Sequence, residues 1–196
     1  FFESTGGWGS SELRKINKHT GKVINFNKLQ SKYFGEGITI YDNKIFQVTW
    51  KSNKGFVYDI NNFKLLDDFN IYGQGWGLTN DGQSLILSDG SEKIYYLNPK
   101  NFEIEKTISV SVNGNKLIYI NELEFIRGEI WANIWKSNDI ITVNPLSGIV
   151  TSIFDISKIS EQTEIEDVAN GIAWDKVNDK IFITGKNWNF IYLLDI

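Results

Sequence analysis

Three polar side chains carry the chemistry that this sequence offers: a carboxylate, an amide and an amine. Glu36 lies between two glycines in Phe34-Gly35-Glu36-Gly37-Ile38. A carboxylate in a water-poor aromatic pocket has a raised pKa, which brings it towards the range where it can carry protons. Lys186 offers a cation for a developing oxyanion, and Asn121 offers an amide that can hold a substrate amide. An exposed turn glutamate and a solvated surface lysine are the alternative interpretations of Glu36 and Lys186.

The composition excludes several other kinds of site. The chain has 196 residues, no cysteine and a single histidine, His19. Disulfides, thiolate metal sites and cysteine nucleophiles are therefore excluded, while histidine-clustered zinc sites and most Ser-His-Asp schemes have too few parts. The net charge of −4 argues against a protein that binds nucleic acid or an anionic membrane. No apolar run approaches the roughly 18 residues of a membrane span.

Short strands joined by tight turns are the elements that must position these side chains. The chain contains 7 Trp, 13 Phe, 8 Tyr and 17 Gly, a composition that favours strands and turns over long helices. Residues 45–50 and 130–135 alternate apolar and polar side chains with the period of a half-buried strand. The one plausible helical segment is residues 156–168, where a loop is an equally good interpretation.

These elements recur in a fixed order. Turns led by Asn or Asp follow a Tyr- or Ile-rich strand in successive units of about 40 to 50 residues, at Asn17, Asp59, Asn98, Asn144 and Asp195. Four strands in each such unit are typical of a β-propeller blade, so the sequence predicts an all-β, five-bladed propeller. The first unit begins at its second strand and the last lacks an outer strand. We therefore expect residues 1–196 to form a single propeller domain that is truncated at its N-terminus.

The repeat also predicts where a site lies. Residues at the same place in successive blades converge around the propeller axis. Here that place holds a carboxylate, an indole and two amides, from Glu36, Trp76, Asn121 and Asn170. The ends of the second strands add Trp50, Trp135 and Lys186. Glu122 and Glu124, beside Asn121, either organise the same site or form a pair on one strand face. The tryptophans serve either as a ligand-contacting rim or as packing between blades.

The chain resembles the plant and bacterial type of glutaminyl-peptide cyclotransferase. The resemblance is collinear, covers nearly the whole chain, and rests on these stretches: Phe2-Glu3-Ser4-Thr5-Gly6, Tyr33-Phe34-Gly35-Glu36-Gly37-Ile38, Gly75-Trp76-Gly77-Leu78-Thr79, Asn121-Glu122-Leu123-Glu124, Ala132-Asn133-Ile134-Trp135, Asn170-Gly171-Ile172-Ala173 and Thr184-Gly185-Lys186. It implies a five-bladed propeller enzyme that converts an N-terminal glutamine to pyroglutamate with loss of ammonia.

The resemblance also implies roles for individual residues. Glu36 is expected to shuttle a proton from the α-amine to the departing amide nitrogen. Asn121 and Lys186 are expected to hold and polarise the γ-carbonyl. The walls of the substrate pocket are expected to be aromatic: Phe34, Trp50, Trp76 and Trp135. No metal or other cofactor is implied, since an intramolecular reaction needs mainly a folded substrate, exclusion of water and one proton transfer.

The expected partners are peptide or protein N-termini that bear glutamine, with no nucleic acid and no membrane, and we expect a monomer. The resemblance favours a secreted or periplasmic location. It also places a pocket-forming segment before Phe1, so that residues 1–196 alone are expected to have weak activity or none. Two alternatives are a non-catalytic propeller that binds a peptide or small ligand at the same rim, and another propeller enzyme such as a lyase or lactonase. The scarcity of histidine argues against the latter.

Overall fold

A computed structural model describes residues 1–160 and 168–195 of the chain, almost all of them in strands and turns. Within these residues the structure contains the following elements: β1 Phe2–Thr5, β2 Glu12–Ile16, β3 Val23–Lys28, β4 Phe34–Tyr41, β5 Lys44–Trp50, β6 Lys54–Asp59, β7 Leu65–Asn70, β8 Leu78–Asn80, β9 Leu85–Ser88, β10 Lys93–Leu97, β11 Ile104–Ser109, β12 Ser111–Val112, β13 Asn115–Lys116, β14 Ile120–Ile126, β15 Glu129–Ile134, β16 Asp139–Val143, β17 Val150–Asp155, α1 Ser157–Ser160, β18 Ala169–Asp175, β19 Lys180–Gly185 and β20 Tyr192–Leu194.

The strands form five antiparallel sheets that follow one another along the chain, as predicted for a five-bladed propeller. Three sheets have four strands, in the orders β4-β5-β6-β7, β8-β9-β10-β11 and β14-β15-β16-β17. The first sheet, β1-β2-β3, and the last, β18-β19-β20, each contain three strands. A small hairpin, β12-β13, is inserted between the third and fourth sheets. The two shorter sheets agree with the prediction that the first and last blades are incomplete.

The turns repeat as regularly as the strands because the same residue types build them. The side-chain oxygen of Asn17 accepts hydrogen bonds from the backbone amides of His19 and Thr20, at 2.9 and 3.1 Å. Asp59 and Asn144 make equivalent pairs of bonds in the second and fourth sheets. These Asx turns connect the last two strands of each of these sheets, as their positions in the sequence predicted.

The hydrophobic core lies between neighbouring sheets, in a separate layer for each pair. One layer joins the second and third sheets through Phe46, Val48 and Leu87, and another joins the third and fourth through Ile94 and Ile130. Further layers join the first sheet to the second and the fourth to the fifth. Between the first and fifth sheets, the rings of Phe1 and Phe182 meet at 5.0 Å. This packing holds the five sheets around one axis.

The helical interpretation of residues 156–168 holds for α1 only, and residues 161–167 lie outside the described part of the chain. No helix among the described residues is long and apolar enough to cross a membrane.

Candidate active site

Three of the inner strands, β4, β14 and β18, are interrupted by a bulge at the same point. In the second sheet Gly35 pairs with Thr49, but the next pair is Ile38 with Gln47, so the inner strand carries one extra residue there. The fourth and fifth sheets shift register in the same way, between Ile120 and Leu123 and between Ala169 and Ile172. A bulge redirects side chains that would otherwise follow the pleat. Glu36, Asn121 and Asn170 therefore occupy equivalent, redirected positions, as the repeat predicted.

Glycines allow the inner strands of neighbouring sheets to touch one another around the axis. A Cβ atom on Gly37 would lie 2.7 Å from the carbonyl carbon of Gly77, and one on Gly77 would lie 2.8 Å from the backbone nitrogen of Leu123. The backbone amide of Gly37 donates a hydrogen bond of 2.8 Å to the carbonyl of Trp76. The second, third and fourth sheets therefore meet backbone to backbone at the level of Glu36, Trp76 and Asn121.

Glu36 is held in an environment that disfavours its charge. Its side chain is mostly enclosed, although part of it is accessible to water. Burial raises the pKa of the Glu36 carboxyl to about 7, and the Lys186 ammonium opposes that rise. The carboxyl can therefore both take up and release a proton near neutral pH. Glu36 is thus not the exposed turn glutamate of the alternative interpretation.

Lys186 follows the second strand of the fifth sheet, at a position that tryptophans occupy in two other sheets. Its backbone amide donates a 3.0 Å hydrogen bond to the carbonyl of Val168, just as Trp135 pairs with Tyr119 at 2.8 Å. Its side chain is exposed, and its charge acts on Glu36. The fold therefore brings the amine close enough to the carboxylate for their charges to interact, although the two residues are far apart along the chain.

Asn121 is the most buried of the three polar candidates, with 3 % of its surface exposed. Its backbone carbonyl accepts a hydrogen bond of 2.6 Å from the hydroxyl of Ser88, and that hydroxyl accepts one of 2.8 Å from the amide of Gly77. Ser88 thus ties Gly77, at the start of the inner strand of the third sheet, to the bulge of the fourth. The backbone of Asn121 is fixed by these bonds.

The aromatic residues predicted for the pocket walls lie at the end of the channel where Glu36 lies, which we call the mouth. They form two groups of rings in contact. In the first, Phe34 packs edge to face on Trp50 at 5.5 Å, and Trp8 contacts both rings. In the second, Trp76 packs on Trp135 at 5.6 Å, and Trp135 on Tyr119 at 5.7 Å. All four aromatic residues predicted for the pocket walls lie in these groups. Trp76 and Trp135 come from neighbouring sheets, so this pair packs between blades, and its contact with a ligand stays a prediction.

Glu122 and Glu124 lie on β14 and face the channel away from that mouth. Together with residues of the hairpins at the opposite ends of the inner strands, such as Asn80 and Arg127, they line a cavity of about 680 Å³. Burial raises the pKa of Glu124 to about 7, and burial with the charges of Glu124 and Glu36 raises the pKa of Glu122 well above its usual range. Glu122 and Glu124 therefore interact with each other on one strand, and Glu122 also interacts with Glu36.

Three residues of the mouth were missed by sequence reasoning. Trp8 and Tyr119 extend the two ring groups outwards, with 55 % and 47 % of their surfaces exposed. Gln74 lies between the groups and accepts hydrogen bonds from the indoles of Trp50 and Trp76. Gln74 and Tyr119 stand two residues before Trp76 and Asn121, the place that Phe34 holds before Glu36, whereas Trp8 has no such equivalent. The only signal for Gln74 was its place two residues before Trp76.

Within residues 1–160 and 168–195, no three His, Cys, Asp or Glu side chains are arranged to hold a metal ion. The polar groups that the sequence predicts for this site are the carboxyl of Glu36, the amide of Asn121 and the ammonium of Lys186. These groups can move one proton and can stabilise negative charge on an oxygen, inside an aromatic wall.

Comparison with known proteins relates the chain to one family over its whole length. A sequence model described as glutamine cyclotransferase matches residues 1–196. A glutaminyl-peptide cyclotransferase from Arabidopsis thaliana is 39% identical over 201 residues, covering 100% of this chain and 63% of the plant protein. The chain thus spans less than two thirds of the length of that curated relative.

Solved structures were compared with the chain as well, and one of them belongs to the same family. The crystal structure of Myxococcus xanthus glutaminyl cyclase matches with a TM-score of 0.91 at 30% identity, covering 100% of this chain and 87% of that one. The WD40 domain of Neurospora crassa Pan2 matches with a TM-score of 0.53 at 12% identity, covering 98% of this chain and 73% of that one. The second likeness concerns the propeller fold alone.

Proposed function

Because the chain belongs to the glutamine cyclotransferase family, we propose that the protein is a glutaminyl-peptide cyclotransferase, which converts the N-terminal glutamine of peptides or proteins to pyroglutamate and releases ammonia. The observation that carries this proposal is the carboxyl of Glu36, whose pKa of about 7 suits proton transfer near neutral pH, within an aromatic mouth that also holds Lys186. Such a site fits a substrate that brings its own nucleophile and leaving group.

The proposed reaction needs one residue to fold back on itself. The substrate's α-amino nitrogen attacks the γ-carboxamide carbon, and Glu36 as carboxylate takes the proton that this nitrogen loses. The carbonyl oxygen becomes negatively charged, and the amide of Asn121 and the ammonium of Lys186 stabilise it. When the intermediate collapses, Glu36 returns the proton to the amide nitrogen, the bond between the γ-carboxamide carbon and that nitrogen breaks, and ammonia leaves. The proton balance closes without a second acid or base.

The walls of the mouth supply the remaining requirement, which is orientation. Phe34, Trp50, Trp76 and Trp135 restrict a flat carboxamide and exclude water from it. Holding amine and carbonyl in a reactive geometry accounts for a large part of the acceleration in intramolecular reactions. We propose that this general acid–base route, in which Glu36 is the only proton carrier, is the mechanism of the protein.

The proposal is tested by incubating the full-length protein with a glutamine-initiated peptide and measuring ammonia release and the mass of the product. We expect turnover in the wild type and a fall in kcat of about 100- to 10,000-fold in Glu36→Gln, because the variant keeps the shape and loses the proton carrier. Glu103→Gln, at an exposed glutamate on a distant turn, is the matched control and should keep wild-type turnover.

Two results would count against this function. Turnover that survives unchanged in Glu36→Gln would remove Glu36 from its role. Binding of the peptide without any turnover in the wild type would favour the alternative of a non-catalytic propeller that uses the same aromatic mouth.

A further inference from the structure

The aromatic wall of the mouth is divided into two halves. One half contains Trp8, Phe34 and Trp50, and the other contains Trp76, Trp135 and Tyr119. Within the described residues, no ring of one half contacts a ring of the other. The two halves also belong to different sheets, since Trp50 ends β5 and Trp76 precedes β8. Something other than ring packing must therefore fix the distance between them.

Gln74 makes that connection. Its side-chain oxygen lies 2.7 Å from the indole nitrogen of Trp50 and 3.1 Å from the indole nitrogen of Trp76. An indole nitrogen is a donor only, so the atom that faces both must be the carboxamide oxygen, and both of its lone pairs are used. A single acceptor thus joins one ring of each half.

The backbone on both sides of Gln74 is fixed as well. The amide of Gly75 donates a 3.1 Å hydrogen bond to the carbonyl of Thr49, the residue before Trp50, and the amide of Trp76 donates one of 3.0 Å to Ser88. On the other side, the amide of Ile71 bonds the carbonyl of Asn53 at 3.1 Å. The segment is therefore held against both sheets, and the reach of the Gln74 side chain sets the gap between the two indoles.

We infer that Gln74 is a positioning residue for the substrate pocket: it fixes the spacing of Trp50 and Trp76, and so the width of the slot that receives the glutamine side chain. This inference rests on the proposed function for its effect on catalysis, but the anchoring of the two indoles does not. Because Gln74 acts through the walls, its loss should weaken substrate binding more than it slows the chemical steps at Glu36.

The test compares Gln74→Leu, which removes the acceptor at similar size, with Gln74→Glu, which keeps an oxygen acceptor. Gln83→Leu, at an exposed turn glutamine at the other end of the channel, is the matched control. Hydrogen exchange of the Trp50 and Trp76 indole N–H groups is followed by NMR, with the signals assigned through Trp50→Phe and Trp76→Phe. Thermal unfolding of each variant checks that the fold is retained.

In Gln74→Leu we expect both indole signals to exchange about tenfold faster, and KM for a glutamine-initiated peptide to rise about tenfold with a smaller change in kcat. In Gln74→Glu the exchange rates and KM should stay within about threefold of the wild-type values, since this variant keeps an oxygen acceptor. The Gln83→Leu control should match the wild type in exchange and in kinetics.

Unchanged indole exchange in Gln74→Leu would overturn the inference, and so would faster exchange with an unchanged KM. Failure of Gln74→Glu to keep the exchange rates or KM near the wild-type values would also contradict it. If the wild type shows no turnover, the proposed function fails, and the exchange rates alone then decide whether Gln74 anchors the two indoles.

Discussion

At the scale of single residues, the behaviour of Glu36 depends on the balance of burial and one nearby cation. Desolvation raises the pKa of the carboxyl to about 7, and the ammonium of Lys186 acts in the opposite direction. This balance is what a proton carrier needs, because a carboxyl with an ordinary pKa would return its proton poorly at neutral pH. Under the proposed mechanism Lys186 therefore has two effects, since it stabilises the oxyanion and lowers the pKa of Glu36.

The balance predicts how the rate changes with pH. Glu36 must be ionised to accept the proton, so kcat should fall as pH drops below about 7, rather than near the ordinary glutamate value. In Lys186→Gln the opposing charge is lost, the pKa of Glu36 rises further, and the acid limb of the kcat profile should move to higher pH. A limb that belonged to the substrate's own amine would not move.

The measurement is a pH profile of kcat for the full-length wild type, Lys186→Gln and the control Lys180→Gln, which removes an exposed lysine at the far end of β19. Lys186→Gln will also turn over more slowly, but the pH at which its kcat falls does not depend on its maximal kcat. A limb that moves to lower pH, or an equal movement in Lys180→Gln, would contradict the assignment.

At the scale of elements, the bulges of the inner strands determine which side chains meet. The inner strands of the second, third and fourth sheets touch backbone to backbone at this level, at Gly37 and Gly77. Glu36, Trp76 and Asn121 lie immediately before positions 37, 77 and 122. Any widening of these contacts would move all three side chains at once.

This arrangement predicts a large effect of a small substitution. A Cβ atom on Gly77 would overlap the carbonyl oxygen of Asn121 and approach the nitrogen of Leu123 to 2.8 Å, so backbone has to shift. We expect Gly77→Ala to lower the free energy of unfolding by about 1–3 kcal/mol. We also expect kcat/KM to fall by about 100-fold, since a small misplacement of catalytic groups is costly.

Urea unfolding and peptide kinetics measure these two effects. Gly114→Ala is the control: it faces open space at a φ of 80°, so it should cost about 1 kcal/mol of strain and leave kcat/KM unchanged. Full activity in Gly77→Ala would show that contact between the inner strands does not position the site.

At the scale of the whole molecule, stability is expected to differ around the ring. The second, third and fourth sheets have four strands each and buried layers on both sides, whereas the first and fifth have three strands. Strand β9 is buried along its length, while no residue of β1 or β20 is buried. The two shorter sheets meet through the Phe1–Phe182 contact.

Hydrogen exchange should follow this difference. We expect backbone amides of β1 and β20 to exchange at least about tenfold faster than those of β9 and β15, because fewer buried contacts must open to expose them. Mass spectrometry of peptides from the 196-residue chain measures this. Uniform protection of backbone amides across all five sheets would contradict the prediction that the first and fifth sheets are the least stable part of the propeller.

The sequence by itself determined the fold and the equivalent positions of several candidate site residues. Period-two alternation and the Asx turns at Asn17, Asp59 and Asn144 are local signals, because they follow from strand geometry and turn hydrogen bonds. Their repetition predicted five blades, and the repeat placed Glu36, Trp76 and Asn121 at equivalent positions. All three lie where the repeat put them, although their roles in a reaction remain predictions.

Only the tertiary structure decided how those side chains meet. The raised pKa of Glu36, the nearness of Lys186 and the two halves of the aromatic wall depend on packing between blades, which has no period in the sequence. Gln74 is the clearest case, since it stands in an irregular loop and gains its partners from two different sheets. Local patterns fix local geometry, whereas burial and contact across the axis exist only once the ring of sheets is assembled.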